Sequence, residues 1–292
     1  MNTYHKPNIF CEYKTSSWEE LRKIGLMLDG WVFRGQSNAQ WNLTTTLERL
    51  ASNLSVDIRE IGILESQIVK QFQRRARHYT DYLPSPDNLF EWLSLIQHYG
   101  GPTRLLDFTY SFYVACHFSI NTDKNDSAIY CLNRPLINKY LENDDRLKIV
   151  KSKNKINTPE FCEKALKSWV SGPLILVSEP FVLNERLAAQ QGLFAIPMVV
   201  ENGFEYNISL TLSKFEKFLP KTTRLQRFNE SIIFEECALL KIKIPWNLHY
   251  QIKLDLLRMN INEGTLFPGL DGFARSLTDL AYKKKRLTRR SS

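Results

Sequence analysis

The stretch Gln97-His98-Tyr99-Gly100-Gly101-Pro102-Thr103-Arg104-Leu105-Leu106-Asp107-Phe108-Thr109 lies between two segments of helical character. Four apolar residues precede it with helical spacing: Leu89, Trp92, Leu93 and Ile96. This spacing predicts an amphipathic helix over 88–98, and the two glycines and the proline end it. A second helix is predicted over 109–119. The stretch is therefore a break between helices, and it concentrates polar side chains beside glycines.

Working outward from this break, helical and strand patterns are mixed along the chain. A helical period occurs within 11–28, where Ser16 and Ser17 are possible caps and Gly30 ends the helix. Further helical periods occur at 58–82, 159–170 and 246–259. Short apolar runs predict strands at 31–34, ending at Gly35, and at 128–132, 174–177, 192–200 and 238–244. The strands do not alternate regularly with the helices, which argues against a doubly wound sheet. We predict an α+β fold in which a helix-rich N-terminal part packs on a mixed, largely antiparallel sheet.

Composition is that of a globular protein. The chain has 292 residues, of which 43% are hydrophobic and 24% charged. No apolar run approaches the length of a membrane span, and residues 1–10 lack the pattern of a secretory signal. Five cysteines are scattered without CxxC spacing: Cys11, Cys116, Cys131, Cys162 and Cys237. This usage predicts reduced thiols in a cytoplasmic protein, with no structural zinc and no membrane partner.

The positive charge is concentrated at the C-terminus. The formal net charge is +8, and six cations without an acid lie in residues 283–292, which leaves about +2 for the rest. We predict a single domain over 1–282 and a flexible basic tail over 283–292. A solvated terminus is the simplest interpretation of the tail, and a nucleic-acid-binding arm is the alternative.

Four segments place polar side chains beside glycines: 32–36, 97–109, 184–194 and 262–272. Separated segments of this kind are expected to meet at one site, because glycine lets a backbone approach a ligand. We therefore expect five positions to converge on one cleft: Arg34, His98 or Tyr99, Arg104, Asp107 and Gln190. A structural role remains open for each of them.

The structural alternatives are specific. Arg34 could form a buried bridge with Asp107 instead of binding a ligand. Asp107 could cap the helix that follows it. His98 could bond a carbonyl at its helix terminus instead of acting as a general base. Arg104 could pair with Glu185 or hold an anion, and Gly100-Gly101-Pro102 could be a turn or a phosphate cradle.

The segments resemble the FRG domain, a family named for its Phe-Arg-Gly motif. Phe33-Arg34-Gly35 is that motif, and the stretch 97–109 continued by 112–115 resembles the family's most recognisable block. The clusters at 186–194 and 266–272 are also similar, so the resemblance runs from about Trp18 to Leu277. Members are common in bacteria, phages and mobile elements, which implies a role in phage–host conflict, as a toxin or a defence protein.

An aromatic-Arg-Gly strand is also similar to the first motif of arginine-type ADP-ribosyltransferases. In that resemblance the arginine holds the phosphates of NAD, and a guanidinium fork suits phosphate oxygens. Gly35 beyond the strand end would leave room for the pyrophosphate. The implied cofactor is NAD, with no metal, in a fold of ADP-ribosyltransferase type. The chain departs from the pattern because it has no clear Ser-Thr-Ser strand, only Thr109 and Ser111, and no Glu-x-Glu loop.

The resemblance assigns two sets of site residues. The cofactor-binding set comprises Arg34, Gly35, Gln36, Thr103, Arg104, Asp107, Thr109, Arg186 and Gln190. The catalytic set comprises Glu263, Tyr99 and His98. Glu263 is chosen because such enzymes need a late carboxylate to stabilise an oxocarbenium-like transition state.

Two other functions compete with this enzyme hypothesis. A nucleic-acid-binding protein would use Arg74, Arg75, Arg77 and the basic tail. A non-catalytic interaction module of a defence or toxin system is the third. A deep polar pocket containing Arg34, Arg104 and a carboxylate favours the first hypothesis. A continuous basic stripe along the 58–82 helix favours the second, and the absence of both favours the third.

Overall fold

The computed structural model describes residues 11–120, 123–148, 150, 155–168, 170, 172–213 and 237–288. Most of the lysine-rich segment 148–155 lies outside these residues, as do residues 289–292 of the predicted tail.

Within the described residues, seven strands form one sheet. They are β1 (Cys11–Lys14), β2 (Val32–Gln36), β3 (Leu106–Thr109), β4 (Ser127–Leu132), β5 (Ile175–Ser178), β6 (Gly192–Pro197) and β7 (Leu239–Ile244). The strand order is β1-β7-β4-β2-β3-β6-β5. Strand β1 runs parallel to β7 and the other pairings are antiparallel. The predicted α+β class with a mixed, largely antiparallel sheet is confirmed.

Helices cover both faces of this sheet. In the first half they are α1 (Trp18–Met27), α2 (Thr46–Asn53), α3 (Ile61–Ala76), α4 (Leu89–His98) and α5 (Phe112–Ser119). Further along are α6 (Arg134–Glu142), α7 (Pro159–Lys167), α8 (Glu185–Ala189) and α9 (Phe204–Ser213). The last described helices are α10 (His249–Arg258), α11 (Glu263–Leu266), α12 (Leu270–Ser276) and α13 (Asp279–Thr288).

Alternation along β2 decides which side chains face which layer. Val32 lies in the apolar core that includes α3 and α4, whereas Phe33 lies in the core that includes α1, α5 and α10. Successive side chains of a strand point to opposite faces, so Arg34 shares the face of Val32. The register places Arg34 opposite Tyr130 on β4. The arginine therefore projects into the layer that contains α4.

Several predicted boundaries were wrong at one end. Residues 11–14 form the edge strand β1, which was not predicted, and Cys11 and Tyr13 alternate inward there. Strand β2 does not end at Gly35 but continues to Gln36, because it pairs with β4 along its whole length. The helix predicted over 109–119 begins at Phe112, after the strand β3 that the sequence analysis did not predict.

The C-terminal cations begin within a helix. Helix α13 runs through the predicted boundary at residue 283, and its first half docks on α10. Tyr282 stacks on Tyr250 with ring centroids 6.0 Å apart. Asp279 Oδ1 forms an ion pair with Lys253 Nζ at 2.8 Å. Flexibility of the tail stays a prediction. No helix in the described part of the chain has the length and apolarity needed to cross a bilayer.

Candidate functional site

A cavity of about 930 Å³ opens where β2 and β3 meet the ends of α2, α4 and α8. Pockets of roughly 300–1,000 Å³ are typical of small-molecule sites. Its polar lining includes Arg34, Gln36, Arg49, Gln97, His98, Asp107, Thr109, Arg186 and Gln190. Its aromatic lining consists of Phe33, Trp41, Phe108, Phe118 and Phe194. The cavity thus combines groups from segments far apart in the sequence.

Arg34 crosses from β2 to the neighbouring strand. Its Nη1 donates to the backbone carbonyl of Asp107 at 2.8 Å, and the carboxylate Oδ2 of Asp107 lies 3.7 Å away. Its Nε is buried and has no hydrogen-bond partner in the described structure. The bridge to Asp107 that we considered therefore exists, but it is long and leaves part of the guanidinium unused.

The surroundings of Arg34 disfavour the charged form of its guanidinium. Burial lowers the pKa of Arg34, and the positive charge of Arg49 lowers it further, while Asp107 opposes both effects. An anion bound near the guanidinium of Arg34 would stabilise its charged form.

Gly35 lines the cavity only through its backbone. A Cβ at this position would lie 2.0 Å from the carbonyl oxygen of Ala115 and 2.6 Å from the amide nitrogen of Ser119. The missing side chain thus faces α5, on the side of the sheet opposite Arg34. The expectation that Gly35 leaves room for a pyrophosphate was wrong, because the residue lets helix α5 pack directly on β2.

Gln36 and Gln190 are held by backbone groups. Gln36 Nε2 donates to the carbonyl of Asn42 at 3.3 Å, and its Oε1 is buried without a partner among the described residues. Gln190 Nε2 donates to the carbonyl of Leu266 at 3.0 Å. Thr109 Oγ1 donates to the carbonyl of Gln190 at 2.7 Å, which ties β3 to the end of α8.

Helix α4 ends in a glycine cap at the rim of the cavity. The Gly100 amide donates to the carbonyl of Gln97 at 3.0 Å, and the Gly101 amide donates to that of Ile96 at 2.9 Å. This pair of bonds is the Schellman arrangement, and Gly100 takes the left-handed φ of 81° that it requires. Both amides are therefore hydrogen-bonded within the turn. Of the two interpretations of Gly100-Gly101-Pro102, a turn or a phosphate cradle, the turn is the one observed.

His98 and Tyr99 lie at this helix end but differ in position. His98 lines the cavity, whereas Tyr99 is 63% exposed and does not. Burial lowers the pKa of His98, and the nearby Arg186 lowers it further. Both effects favour the neutral imidazole, which has one donor and one acceptor nitrogen.

Gln97 links Asp107 to a buried threonine. Thr103, which is fully buried, donates from Oγ1 to Gln97 Oε1 at 2.6 Å. Gln97 Nε2 in turn donates to Asp107 Oδ2 at 3.0 Å. Thr103 therefore supports the cavity wall without lining it. Asp107 does not cap α5, because Ser111 accepts from the amide of Val114 in that role.

Arg104 does not share the cleft, so the expected convergence is wrong at this position. Its Nε lies 2.9 Å from both carboxylate oxygens of Glu65, and its Nη2 also pairs with Glu65. Its Nη1 donates to the carbonyl of Met198 at 3.2 Å. Burial alone would lower the pKa of Arg104, but Glu65 outweighs this and the pKa is raised. The guanidinium is occupied by structural partners, and Glu185 is not among them.

Glu263 is not among the residues that line the cavity. Its Oε1 lies 3.0 Å from His117 Nε2, and its Oε2 accepts from Arg275 Nε at 3.1 Å. The hydrogen bond from His117 lowers the pKa of Glu263, burial opposes this, and Arg275 adds to the lowering. Glu263 thus joins α11 to α5 and α12.

This carboxylate predicts an acid-sensitive contribution to stability. Because the folded pKa lies below the unfolded value, the contribution is present above pH about 4.5 and is lost as pH falls through the folded pKa. Glu263→Gln is therefore expected to lower the urea midpoint at pH 7, and the difference from wild type should shrink below about pH 4. Urea unfolding of both proteins at pH 7 and at a pH below about 4 measures this difference in midpoint. An equal deficit at both pH values would exclude the titration of Glu263 as the cause.

Trp41 and Arg49 are among the cavity residues that were not singled out from the sequence. Trp41 is 55% exposed at the cavity, and its backbone carbonyl is held by Tyr130 Oη at 2.6 Å. Arg49 projects from α2, and its Nη1 donates to the carbonyl of Thr44 at 2.6 Å. The signal for Trp41 was available, since it is a tryptophan flanked by Gln40 and Asn42 outside any apolar period.

The cavity lining carries more positive than negative charge. Arg34, Arg49 and Arg186 contribute to it, whereas Asp107 is the one carboxylate among its lining residues. The Arg186 guanidinium lies 4.5 Å from the ring centroid of Phe267 and has no carboxylate partner in the part of the chain that the structure describes. The described residues include no cluster of His, Cys, Asp and Glu suited to a metal ion.

Comparison with known proteins adds one finding. Residues 29–128, about a third of the chain, match the family model described as the FRG domain. The match spans β2 to the start of β4 and includes Arg34, His98 and Asp107. The segments around Arg186 and Glu263 lie outside it. No curated protein and no solved structure matches the chain.

Proposed function

Because residues 29–128 form an FRG domain that supplies most of the cavity wall, we propose that this domain binds a nucleotide through its phosphates, with NAD as the first candidate. The charge of the lining carries the proposal. Three guanidinium groups face a cavity lined by a single carboxylate. Arginine forks bind phosphate oxygens in pairs, and a bound pyrophosphate would offset the repulsion between Arg34 and Arg49.

The shape and the aromatic lining support a nucleotide over a simple anion. The volume of about 930 Å³ is far larger than a phosphate needs. Trp41 offers an exposed indole face at the cavity, and base–aromatic stacking is worth about 1–3 kcal/mol per base. The unpartnered Nε of Arg34 and Oε1 of Gln36 add a donor and an acceptor on the same strand. These atoms would become paired if the side chains turned toward a ligand.

ADP-ribosyltransferase-like chemistry is the reaction that we propose for this site. It breaks the bond between nicotinamide and ribose, releases nicotinamide, and joins the ribosyl carbon to water or to an acceptor. A carboxylate beside the ribose stabilises the positive charge that develops there. Since Glu263 pairs with His117 and Arg275, we assign this role to Asp107, which lines the cavity. Nicotinamide release should be lost in Asp107→Asn and kept in Glu263→Gln.

Arg34→Lys is the test of nucleotide binding. Lysine keeps the charge but lacks the fork, so the affinity for NAD should fall by about 1.5–3 kcal/mol, roughly ten- to hundredfold. The melting temperature without ligand should change little, because the ion pair to Asp107 is long at 3.7 Å. Isothermal titration and NAD-dependent thermal shifts measure both effects. Arg77→Lys, at an exposed position outside the cavity, is the matched control.

The opposite result has a clear meaning. If the wild-type protein shows no NAD-dependent shift and Arg34→Lys lowers the melting temperature strongly, Arg34 is a structural residue. The FRG domain would then fit the non-catalytic interaction module better than an enzyme.

A role in phage–host conflict follows from the proposed chemistry. Consumption of NAD would arrest growth, which is the effect expected of a toxin or a phage-defence protein. Expression of wild-type protein in a bacterial host should lower cellular NAD and plaque counts. Arg34→Ala should abolish both effects at equal protein level. A plaque count as low with Arg34→Ala as with the wild-type protein would refute the link.

A further inference from the structure

We propose that the C-terminal half of α3 and the turn after it form a binding surface for single-stranded nucleic acid, separate from the cavity. The segment 66–80 contains Lys70, Arg74, Arg75 and Arg77 and no acidic residue. All four cations are exposed, and none has a carboxylate within ion-pair distance in the described structure.

Helical spacing places three of these cations on one line. Lys70, Arg74 and Arg77 are four and three residues apart, so they follow one another on the same helix face. The buried face of α3 is formed by Ile61, Glu65, Val69 and Ala76. The cationic line therefore points away from the core, over a length of about 10 Å.

The lack of ion pairs distinguishes this face from basic positions on three other helices. Lys23 on α1 pairs with Glu19 at 3.1 Å, and Lys167 on α7 pairs with Glu163 at 3.2 Å. Arg275 on α12 pairs with Asp271 at 3.2 Å. On those helices a carboxylate one turn away neutralises the cation. Attraction of cations to a helix C-terminus accounts for residues in the last turn, but not for Lys70 a turn and a half before the end.

An exposed aromatic side chain completes the surface. Tyr79 lies in the turn three residues after the end of α3 and is 86% exposed. An exposed tyrosine two residues after the last cation of the line adds a ring to the cations, and proteins bind single strands with this combination, since cations track the phosphates and rings stack on unpaired bases. A duplex offers no unpaired base to Tyr79, which is why we choose a single strand over a duplex.

The test is a fluorescence-anisotropy titration of the full chain with labelled oligothymidylate of about 15 nucleotides. K70A/R74A/R77A should weaken binding about tenfold or more and reduce the salt slope by about 2, as expected for the loss of three phosphate contacts. The matched control, K124A/K139A/K155A, removes three exposed lysines elsewhere and should weaken binding less than about twofold.

Tyr79 separates single-strand recognition from simple charge attraction. Tyr79→Ala should weaken binding about fivefold or more, and Tyr79→Phe should keep it, because stacking needs the ring and not the hydroxyl. The duplex of the same length should bind more weakly and show no effect of Tyr79→Ala. The titration is repeated with a chain that ends at Tyr282 and therefore lacks the six cations of the tail. Sensitivity to Tyr79→Ala should persist in it.

Three results would overturn the proposal: equal loss of binding in the control triple variant, tighter binding of the duplex, or no effect of Tyr79→Ala on the single strand. Unchanged thermal unfolding of each variant shows that the loss is not caused by misfolding, which is expected because all substituted side chains are exposed. NAD binding by the same variants should be unaffected, so the outcome is independent of the proposed cavity function.

Discussion

Gly35→Ala is expected to destabilise the protein by more than about 3 kcal/mol, at or beyond the upper end of the usual range for overpacking. The new methyl group would lie 2.0 Å from the carbonyl oxygen of Ala115 and 2.6 Å from the amide nitrogen of Ser119. Both atoms belong to the backbone of α5, so no side-chain rotation can relieve the clash. Helix α5 would have to move away from β2, which opens the core around Phe33 and Phe112. Urea unfolding at pH 7 measures the loss.

Gly100→Ala is the matched control for this prediction. Gly100 also lines the cavity, but a Cβ there would meet no atom within 4 Å. Its cost arises only from the left-handed φ of 81° and should be about 1 kcal/mol. Equal destabilisation by the two variants would contradict the close packing of α5 on β2.

Glu65→Ala is expected to cost about 3–5 kcal/mol, the usual effect of removing one partner of a buried ion pair. The side chains of Glu65 and Arg104 are 4% and 13% exposed, and the guanidinium keeps only carbonyl acceptors when the carboxylate is removed. Glu60→Ala, at the exposed start of the same helix, should change stability by less than about 0.5 kcal/mol. Thermal and urea unfolding measure both variants.

A double variant tests the cause. Glu65→Leu combined with Arg104→Met should recover much of the stability lost in Glu65→Ala, because it leaves no unpaired charge in the core. A double variant as unstable as the single one would show that packing, and not the ion pair, dominates at this position.

Much of the local structure was predictable because its causes are local. The end of α4 at Gly100 and Gly101 follows from the conformational freedom of glycine, and Asn88 caps the start of that helix as a residue of its type should. Strand β3 was not predicted, since its four residues Leu106–Thr109 are too short to show a period. Edge strand β1, also of four residues, was not predicted for the same reason.

The candidate site was predicted only in part. Arg34, His98, Asp107 and Gln190 meet at the cavity as expected, whereas Arg104 and Glu263 are bound elsewhere. Each of these two residues finds its partner across a long sequence separation, at Glu65 and at His117. No spacing rule reports such a pair, because a charged side chain in a glycine-rich segment looks the same whether its partner is a ligand or a distant residue.

By itself, the sequence determined the α+β class, the end of α4 at its glycines, the concentration of charge at the C-terminus and the similarity to the FRG domain. These properties depend on residue type and on contacts a few positions apart. Only the tertiary structure decided that Gly35 faces α5, that Trp41 and Arg49 join the cavity, and that Arg104 is a structural cation. The reason is the strand order β1-β7-β4-β2-β3-β6-β5, which brings distant segments together. Long-range contacts of this kind are settled by the packing of whole layers, and no single segment contains that information.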